Sequence, residues 1–261
     1  MHEQMSTTRK ALTARSVLAS VLLGTDPPWL PTALLVRTTA LFGISEGTTR
    51  TALSRMATNG EVVGEDGGYR LVGRLVARQV RQIASRRAEV GDWDGTWELL
   101  VVTGDGARAA GDRAALREAL RALRMLELRE GAWGRPDNLD PARSPEARTV
   151  AERWCTRWEG ARPDPTPELD GWELAAWSTE ADQLRRDIAE LVAPLERGDT
   201  AALAEGFVTS AAVLRHLQAD PLLPAPLLPA GWPGTALRTE YERFDAAYRR
   251  VLRDWFRAAT P

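Results

Sequence analysis

The chain of 261 residues contains very few of the thiol and imidazole side chains that bind zinc or, for thiols, form disulfide bonds. Cys155 is the single cysteine, so no intramolecular disulfide can form, and we expect a reducing compartment, the cytoplasm. His2 and His216 are the two histidines, too few for a structural zinc site beside one thiol or for a Ser-His-Asp triad. No apolar run approaches the roughly 18 residues that cross a bilayer. We therefore predict no metal, no cofactor and no membrane span.

Positive charge is unevenly distributed along the chain, and Lys10 is its one lysine. Residues 1–90 contain 12 Lys and Arg side chains against 7 Asp and Glu, a balance of +5. The remaining residues contain 22 against 29, a balance of −7. This difference favours a basic N-terminal module that binds a polyanion, joined to an acidic body.

Residues 43–72 combine an amphipathic helix with a short hairpin. Ser45 is a typical N-cap, and Thr49, Leu53 and Met56 recur at spacings of four and three, so one narrow face of the helix is mostly apolar. Asn59-Gly60 can close the helix, and the residues that follow read as two short strands around a turn at 65–68. Two further helices are predicted before this stretch, at about 13–23 and 31–42. Helix, helix, helix, hairpin is the order of a winged helix-turn-helix.

The opposite face of the third helix has hydroxyls and guanidinium groups and, from the sequence pattern, no carboxylate. These groups are suited to contact base edges and phosphates in a major groove. The alternative is an amphipathic helix whose polar side is only solvated. The predicted DNA-contacting residues, with two from the hairpin, are Ser45, Thr48, Arg50, Thr51, Ser54, Arg55, Tyr69 and Arg70.

The rest of the chain predicts an α+β multidomain protein. A linker helix at about 73–87 has Leu75, Val76, Val80 and Ile83 on its expected inner side. Strands at 97–102, 125–133 and 149–158, with a helix at 113–124, indicate a small domain of ferredoxin-like type. The last hundred residues read as helices, interrupted by a proline-rich extended strap from residue 220 to 234. The expected domains are residues 1–88, 89–163 and 164–261.

Three stretches together resemble a known family. They are the recognition stretch GISEGTTRTALSRMATNG, the WDGTW segment at residues 93–97, and the strap DPLLPAPLLPAGWPG. The strap is the most specific, because Asp-Pro, Leu-Pro, Leu-Leu-Pro and Trp-Pro-Gly in this order hardly recur by chance. The chain resembles the PaaX-type bacterial transcriptional repressors, which control phenylacetic acid catabolism genes, and the resemblance extends over most of its length.

The resemblance implies a homodimeric, non-enzymatic repressor that binds double-stranded DNA at an inverted repeat. It also implies an N-terminal winged helix-turn-helix, a ferredoxin-like central domain and a helical C-terminal domain, with release from DNA by an aromatic acyl-CoA such as phenylacetyl-CoA. Candidate effector contacts are Trp133, Arg215 and His216, since such a ligand needs cations for its phosphates and an apolar slot for its ring. The alternatives are that Arg215 and His216 are a polar pair on the surface and that Trp133 is a core residue.

Two other functions stay open from the sequence. The resemblance also implies that the central domain is similar to the small CRISPR adaptation nuclease. Asp105 follows the first central strand, where that nuclease has a metal-binding aspartate. A metal-dependent nuclease is therefore the alternative function. The glycines of GDGARAAG, at 104–111, do not have the spacing of a dinucleotide-binding loop and indicate a plain turn. A sensor that uses its winged helix for protein contacts is the third possibility.

Overall fold

The structure, a computed structural model, describes residues 12–103 and 109–258, and over these residues it is an α+β protein with two antiparallel sheets. The chain divides into two compact units. Unit 1 comprises the residues up to Arg86, Leu184–Gln218 and the residues from Thr239 onward; unit 2 comprises Arg87–Gln183 and Ala219–Arg238. The division into three domains at residues 88 and 163 stays a prediction.

Unit 1 begins with three helices that pack against one another around an aliphatic core. They are α1 (Ala14–Leu23), α2 (Thr32–Ala40) and α3 (Glu46–Thr58), with strand β1 (Trp29–Pro31) before α2. The Thr13 side chain caps α1 by accepting a hydrogen bond from the Ser16 amide. The apolar residues that fill the space between the helices are Val17, Leu18, Leu22, Leu35 and Leu53.

The predicted hairpin is confirmed, and a third strand joins it. Strands β2 (Val62–Glu65) and β3 (Gly68–Leu71) are connected by two residues with positive φ, which gives the turn that suits the twist of a hairpin. Strand β1 pairs with β3 on its other edge, so the sheet order is β1-β3-β2. The sequence did not predict a strand at this position. Gly68 is required here, because a Cβ at this position would lie 2.8 Å from the Trp29 indole ring.

Helix α4 (Arg74–Arg86) forms as predicted, but its buried face was predicted wrongly. Leu75 is buried, whereas the Val80 and Ile83 side chains are 62% and 53% exposed and Val76 is also exposed. The buried face is instead polar, because the Gln79 amide donates to the carbonyl oxygens of Leu23 (3.1 Å) and Thr25 (2.9 Å). Helix α4 is therefore anchored at the end of α1 by hydrogen bonds.

Three long helices follow in the C-terminal part of the chain. They are α7 (Leu174–Glu196), which begins in unit 2, α8 (Leu203–Gln218), and α9 (Gly234–Arg257), which also begins in unit 2. Within unit 1, α4 packs against α8. Arg86 at the end of α4 donates to Glu242 (3.0 Å) and Asp245 (2.7 Å) of α9. Burial disfavours the charged guanidinium, but these two acids outweigh that effect and raise the pKa of Arg86.

Unit 2 contains a four-stranded antiparallel sheet with the order β5-β6-β4-β7. Its elements are β4 (Trp97–Val102), α5 (Ala110–Ala122), β5 (Leu126–Arg129), β6 (Ala132–Pro136), α6 (Pro145–Trp154) and β7 (Cys155–Ala161). Helices α5 and α6 pack together and enclose a core that includes Leu100, Leu120, Trp133 and Cys155.

Two of the strand predictions in unit 2 were wrong in detail. The stretch 125–133 is two strands, because Gly131, with φ +76°, turns the chain between β5 and β6. The stretch 149–158 is a helix followed by a strand, because Pro145 occupies the first turn of α6 and Glu146 suits its N-terminus. Helix α6 runs to Trp154, and the chain becomes extended at Cys155.

The proline-rich strap has no α-helix before Gly234, as predicted, but a short 3-10 helix at Ala225–Leu227 and turns interrupt its extended course; the strap belongs to unit 2. The Trp232 ring stacks on Trp177 of α7 with centroids 4.4 Å apart. Arg135, at 2% exposure one of the most buried side chains, donates to the Leu222 carbonyl oxygen (3.2 Å) and to Asn138 Oδ1 (2.7 Å). The strap therefore provides a hydrogen-bond acceptor for a guanidinium that is buried away from water.

Candidate nucleic-acid interface

Helix α3 has one buried face and one exposed face, as the sequence predicted. Thr49, Leu53 and Met56 are at most 1% exposed. The hydroxyl oxygens of Thr49 and Thr39 lie 2.7 Å apart, which links α3 to α2 inside the core. The orientation of α3 about its own axis is therefore fixed by apolar packing and by a buried hydroxyl pair.

The N-terminus of α3 is capped by its own hydroxyls. Ser45 Oγ accepts a hydrogen bond from the Thr48 amide (3.2 Å) and lies 2.9 Å from the Thr48 hydroxyl. Both side chains are exposed. The open helix N-terminus and these hydroxyls present partial positive charge and donors on the same surface, an arrangement that suits a phosphate oxygen.

The outer face of α3 has small hydroxyl side chains between two arginines. Thr51 and Ser54 are exposed along its middle, with Arg50 on one side and Arg55 on the other. The prediction that this face lacks a carboxylate needs correction, because Glu46 is exposed one turn before Arg50 and pairs with it at 2.7 Å. The Arg55 guanidinium forms no hydrogen bond or ion pair with any residue in the described part of the chain. Of the two guanidiniums, that of Arg55 is the freer to bind an anion.

The hairpin places its two predicted contact residues next to each other on β3. Arg70 is exposed and forms an ion pair with Glu65 of β2. Tyr69 is half-buried and faces Gly64, which has no side chain to obstruct the ring. The Trp29 indole donates to the Glu65 carbonyl oxygen (3.2 Å) and so holds the hairpin against β1.

A buried glutamate at the junction of α3 and β2 was not singled out from the sequence. Glu61 is 1% exposed and accepts hydrogen bonds from Arg15 of α1 (2.5 and 2.8 Å) and Arg74 of α4 (2.6 Å). The hydrogen bonds from Arg15, with those from Arg74, lower the pKa of Glu61 to about 2, although burial opposes the shift. Its backbone bonds to Met56 and Val72, so this one residue ties together α1, α3, α4 and the hairpin.

The three candidate effector contacts belong to different units of the chain. Arg215 and His216 are consecutive residues of α8 in unit 1, the first exposed and the second half-buried. Trp133 belongs to unit 2, where it is buried in the core with Leu100 and Met125. Arg215 lines a cavity of unit 1. A role of these residues in effector binding stays a prediction.

Asp105, the residue of the alternative nuclease function, lies outside the described residues. Within the ranges 12–103 and 109–258, no group of three or more His, Cys, Asp or Glu side chains could hold a metal ion. Among the same residues, no helix combines the length and the apolar character that a membrane crossing requires.

Comparisons with known proteins identify two regions of the chain. The family model described as PaaX-like protein matches residues 13–75, which contain α1 to β3. The model described as PaaX-like protein C-terminal domain matches residues 172–258, which contain α7 to α9. No curated protein is significantly similar to the chain.

A matching solved structure is that of an uncharacterized protein, Rv0674 from Mycobacterium tuberculosis. It is 42% identical to this chain, and the match covers 93% of this chain and 98% of that one with a TM-score of 0.69. Identity at this level over nearly the whole of both chains, together with the two family models, indicates common ancestry of the entire protein. The chain belongs to the family of PaaX-like proteins.

Proposed function

We propose that this protein is a cytoplasmic, sequence-specific DNA-binding transcriptional repressor and not an enzyme. In this proposal residues 1–88 are a winged helix-turn-helix, with α2 and α3 as the helix pair and β2 and β3 as the wing. Residues 89–163 are a ferredoxin-like domain, which the element order β-α-β-β-α-β and the sheet order β5-β6-β4-β7 support. Residues 164–261 are a helical domain for dimerisation and effector binding.

The observation that carries the proposal is the two-faced structure of α3. Its apolar residues are buried in unit 1, and the residues predicted to contact DNA, from Ser45 to Arg55, are all exposed on the other side. A helix with exposed hydroxyls and arginines can enter a major groove and donate to base edges and phosphates. Arg70 and Tyr69 on the hairpin would contact the adjacent backbone.

A homodimer would bind an inverted repeat. Two copies related by a two-fold axis would place their α3 helices about 34 Å apart, or a multiple of this distance, on one face of the duplex. The family assignment supports this arrangement. Sedimentation of the free protein and of its complex with DNA gives the stoichiometry directly, and one protomer per operator would contradict it.

Release from DNA would follow from binding of an effector, for which we propose an aromatic acyl-CoA such as phenylacetyl-CoA. A ligand changes the DNA affinity only by its preference for one of two conformations. Arg215 and His216 of α8 are the candidate contacts in unit 1, and Trp133 is the candidate in unit 2.

Mobility-shift titration with the DNA upstream of the protein's own gene tests the proposal. We expect a retarded band for the wild type, and for the double variant Arg50→Ala/Arg55→Ala a loss of affinity of at least about tenfold. The slope of log affinity against log salt should become shallower by about 2 to 4 for a dimer, since each protomer loses one or two phosphate contacts and each contact contributes about 0.9.

The matched control is Arg117→Ala, which removes an exposed arginine from α5 in unit 2. This variant should bind like the wild type in affinity and in salt dependence. No retarded band for the wild type at low salt, or equal losses in the control and in the α3 variant, would contradict the proposal.

A further inference from the structure

Unit 1 contains a cavity among helices α1, α4, α8 and α9, apart from the exposed face of α3. Its volume is about 110 Å³. A single water needs roughly 10 to 15 Å³ of such space, so the cavity has room for several waters or for a small organic molecule. The walls differ in character: arginines lie on α4, α8 and α9, and aromatic and aliphatic side chains lie on α8 and α9.

Two of the lining arginines have no acidic partner. Arg78 of α4 and Arg215 of α8 both line the cavity. Neither guanidinium forms a hydrogen bond or an ion pair with another residue in the ranges that the structure describes. Burial, followed by the positive charge of Arg215, lowers the pKa of Arg78. The cavity is therefore lined by two exposed guanidiniums of like charge that have no acidic partner.

Among the described residues, one carboxylate lines the cavity, and it is already neutralised. Asp245 of α9 accepts hydrogen bonds from Arg86 (2.7 Å) and from Arg249 (2.8 Å). Arg249 also lines the cavity and donates to the carbonyl oxygen of Gly24 at the end of α1 (2.8 Å). Because Asp245 is shared between two cations, it cannot balance Arg78 and Arg215.

The remaining wall is mostly apolar and includes the hydroxyls of Ser210 and Tyr241. Phe207, Leu214 and Leu252 line it, together with the ring of Tyr241, whose hydroxyl lies 3.0 Å from the Ser210 hydroxyl. Burial and the charge of Asp245 raise the pKa of Tyr241, so its hydroxyl stays protonated near neutral pH. This wall suits an apolar ring or chain, with a hydroxyl available for one hydrogen bond.

We propose that this cavity binds a small organic anion, with a carboxylate or phosphate group between Arg78 and Arg215 and an apolar body against Phe207 and Leu214. An anion at this point would replace repulsion between two cations by two charge-assisted hydrogen bonds. Because Arg78 is on α4 and Arg215 is on α8, binding of the anion would change the distance between these two helices.

The position of the cavity also connects it to the exposed face of α3. Helix α1 packs against α3, and the end of α1 is held by Gln79 of α4 and by Arg249 of α9, the two helices on either side of the cavity. A ligand that draws α4 toward α8 would therefore act on the support of α3. This coupling rests on the proposed function, whereas binding of the anion does not, and the two can be measured separately.

Thermal unfolding and titration calorimetry of the full chain without DNA test the site, at constant ionic strength. The probes are benzoate, phenyl phosphate, inorganic phosphate and the neutral benzyl alcohol. We expect at least one of the two aromatic anions to bind and to raise Tm by about 5 °C at roughly 100 times its Kd, with a weaker effect of inorganic phosphate and none of benzyl alcohol. The relative affinities of benzoate and phenyl phosphate distinguish a carboxylate site from a phosphate site.

Arg78→Gln and Arg215→Gln should each lower the affinity for the bound anion at least about tenfold. The unliganded variants should be as stable as the wild type or more so, because the repulsion is removed. Arg81→Gln, an exposed arginine on α4 outside the cavity lining, is the matched control and should leave affinity unchanged.

Absence of binding by every anionic probe, or equal losses in Arg81→Gln and in the cavity variants, would overturn the proposed site. A probe that binds in an Arg78- and Arg215-dependent manner but leaves the mobility shift unchanged would retain the site and overturn the coupling. Absence of DNA binding by the wild type would overturn the proposed function and leave the site supported by the calorimetry.

Discussion

Each compact unit contains a buried glutamate bound by two arginines, and the exposure of these arginines differs. The side chains of the two arginines on Glu61 in unit 1 are 50% and 75% exposed. Those on Glu98 in unit 2, Arg148 and Arg157, are 13% and 26% exposed. Water can therefore solvate the cations of the first cluster if the acid is removed, but has little access to those of the second. The same residue types thus form a hydrated cluster in one unit and a largely dry one in the other.

Removal of the Glu98 charge should have the largest effect. Glu98→Gln would leave Arg148, whose Nε already lacks a hydrogen-bond partner, as an uncompensated cation with little exposure. Breaking a buried ion pair from one side costs about 3 to 5 kcal/mol, and a glutamine can still accept one hydrogen bond, so we expect a loss of about 3 kcal/mol. Urea unfolding followed by tryptophan fluorescence measures this, since eight of the ten tryptophans are in unit 2.

Glu118→Gln is the matched control for this measurement, because Glu118 is exposed on α5 of the same unit. A surface substitution of this kind should change the free energy of unfolding by less than about 0.5 kcal/mol. If Glu98→Gln costs no more than the control, the cluster in unit 2 is as well hydrated as that in unit 1, and the contrast between the units is lost.

Glu61→Gln should have a smaller effect that depends on pH. The pKa of Glu61 is about 2 in the folded protein and near 4.5 ordinarily, so its stabilising effect is complete above about pH 4.5 and is lost as the pH falls toward 2. Because the partner arginines are largely exposed, we expect a contribution on the order of 2 kcal/mol at pH 7. Far-UV circular dichroism during urea unfolding at pH 7, 4 and 2.5 gives the difference between wild type and variant. A difference that stays constant across these pH values would contradict the assigned ion pairs.

Local sequence signals predicted the elements of unit 1 that need no distant partner. The Ser45 cap, the spacing of Thr49, Leu53 and Met56, and the Asp-Gly turn of the hairpin each act within a few residues, and all are present in the structure. Strand β1 was missed because three residues acquire strand geometry only by pairing with β3, about forty positions away in the chain.

Apolar periodicity misidentified the inner face of α4 for a different physical reason. The helix is held by hydrogen bonds from Gln79 and by ion pairs of Arg86, so its buried side is polar and Val80 is turned to solvent. Periodicity reports where apolar residues are, and it predicts burial only when apolar contacts determine the packing. For the same reason the burial of Glu61 could not be predicted from the sequence, because it depends on ion pairs with Arg15 of α1 and Arg74 of α4.

The arginines of α3 should differ in their effect on DNA affinity. Arg55→Ala removes an unpaired guanidinium and should cost about tenfold, or about 1.4 kcal/mol, whereas Arg50→Ala should cost less because Arg50 must first leave Glu46. Glu46→Gln should free Arg50 and raise affinity by about twofold to fivefold at low salt. Fluorescence anisotropy with the operator measures all three variants. Equal losses for the two arginines, with no gain in Glu46→Gln, would indicate that the ion pair does not persist in solution.

The smallest predicted effect compares one glycine from each unit at the same helical position. Gly47 in α3 and Gly111 in α5 are both the second residue of their helix, and a Cβ at either would meet nothing within 4 Å. Alanine should stabilise each helix by about 0.5 to 1 kcal/mol, since glycine loses more backbone freedom on folding.

Only Gly47 lies on the face proposed to contact DNA, so Gly47→Ala should lower operator affinity a few-fold while it raises Tm, and Gly111→Ala should raise Tm alone. Because both substitutions add the same methyl group to the same turn of a helix, their difference in anisotropy titrations reports contact with the duplex rather than a change in stability. Equal affinities in the two variants would mean that the backbone of α3 does not approach DNA closely at Gly47, and the contact surface would then have to be sought toward Arg55 and the hairpin.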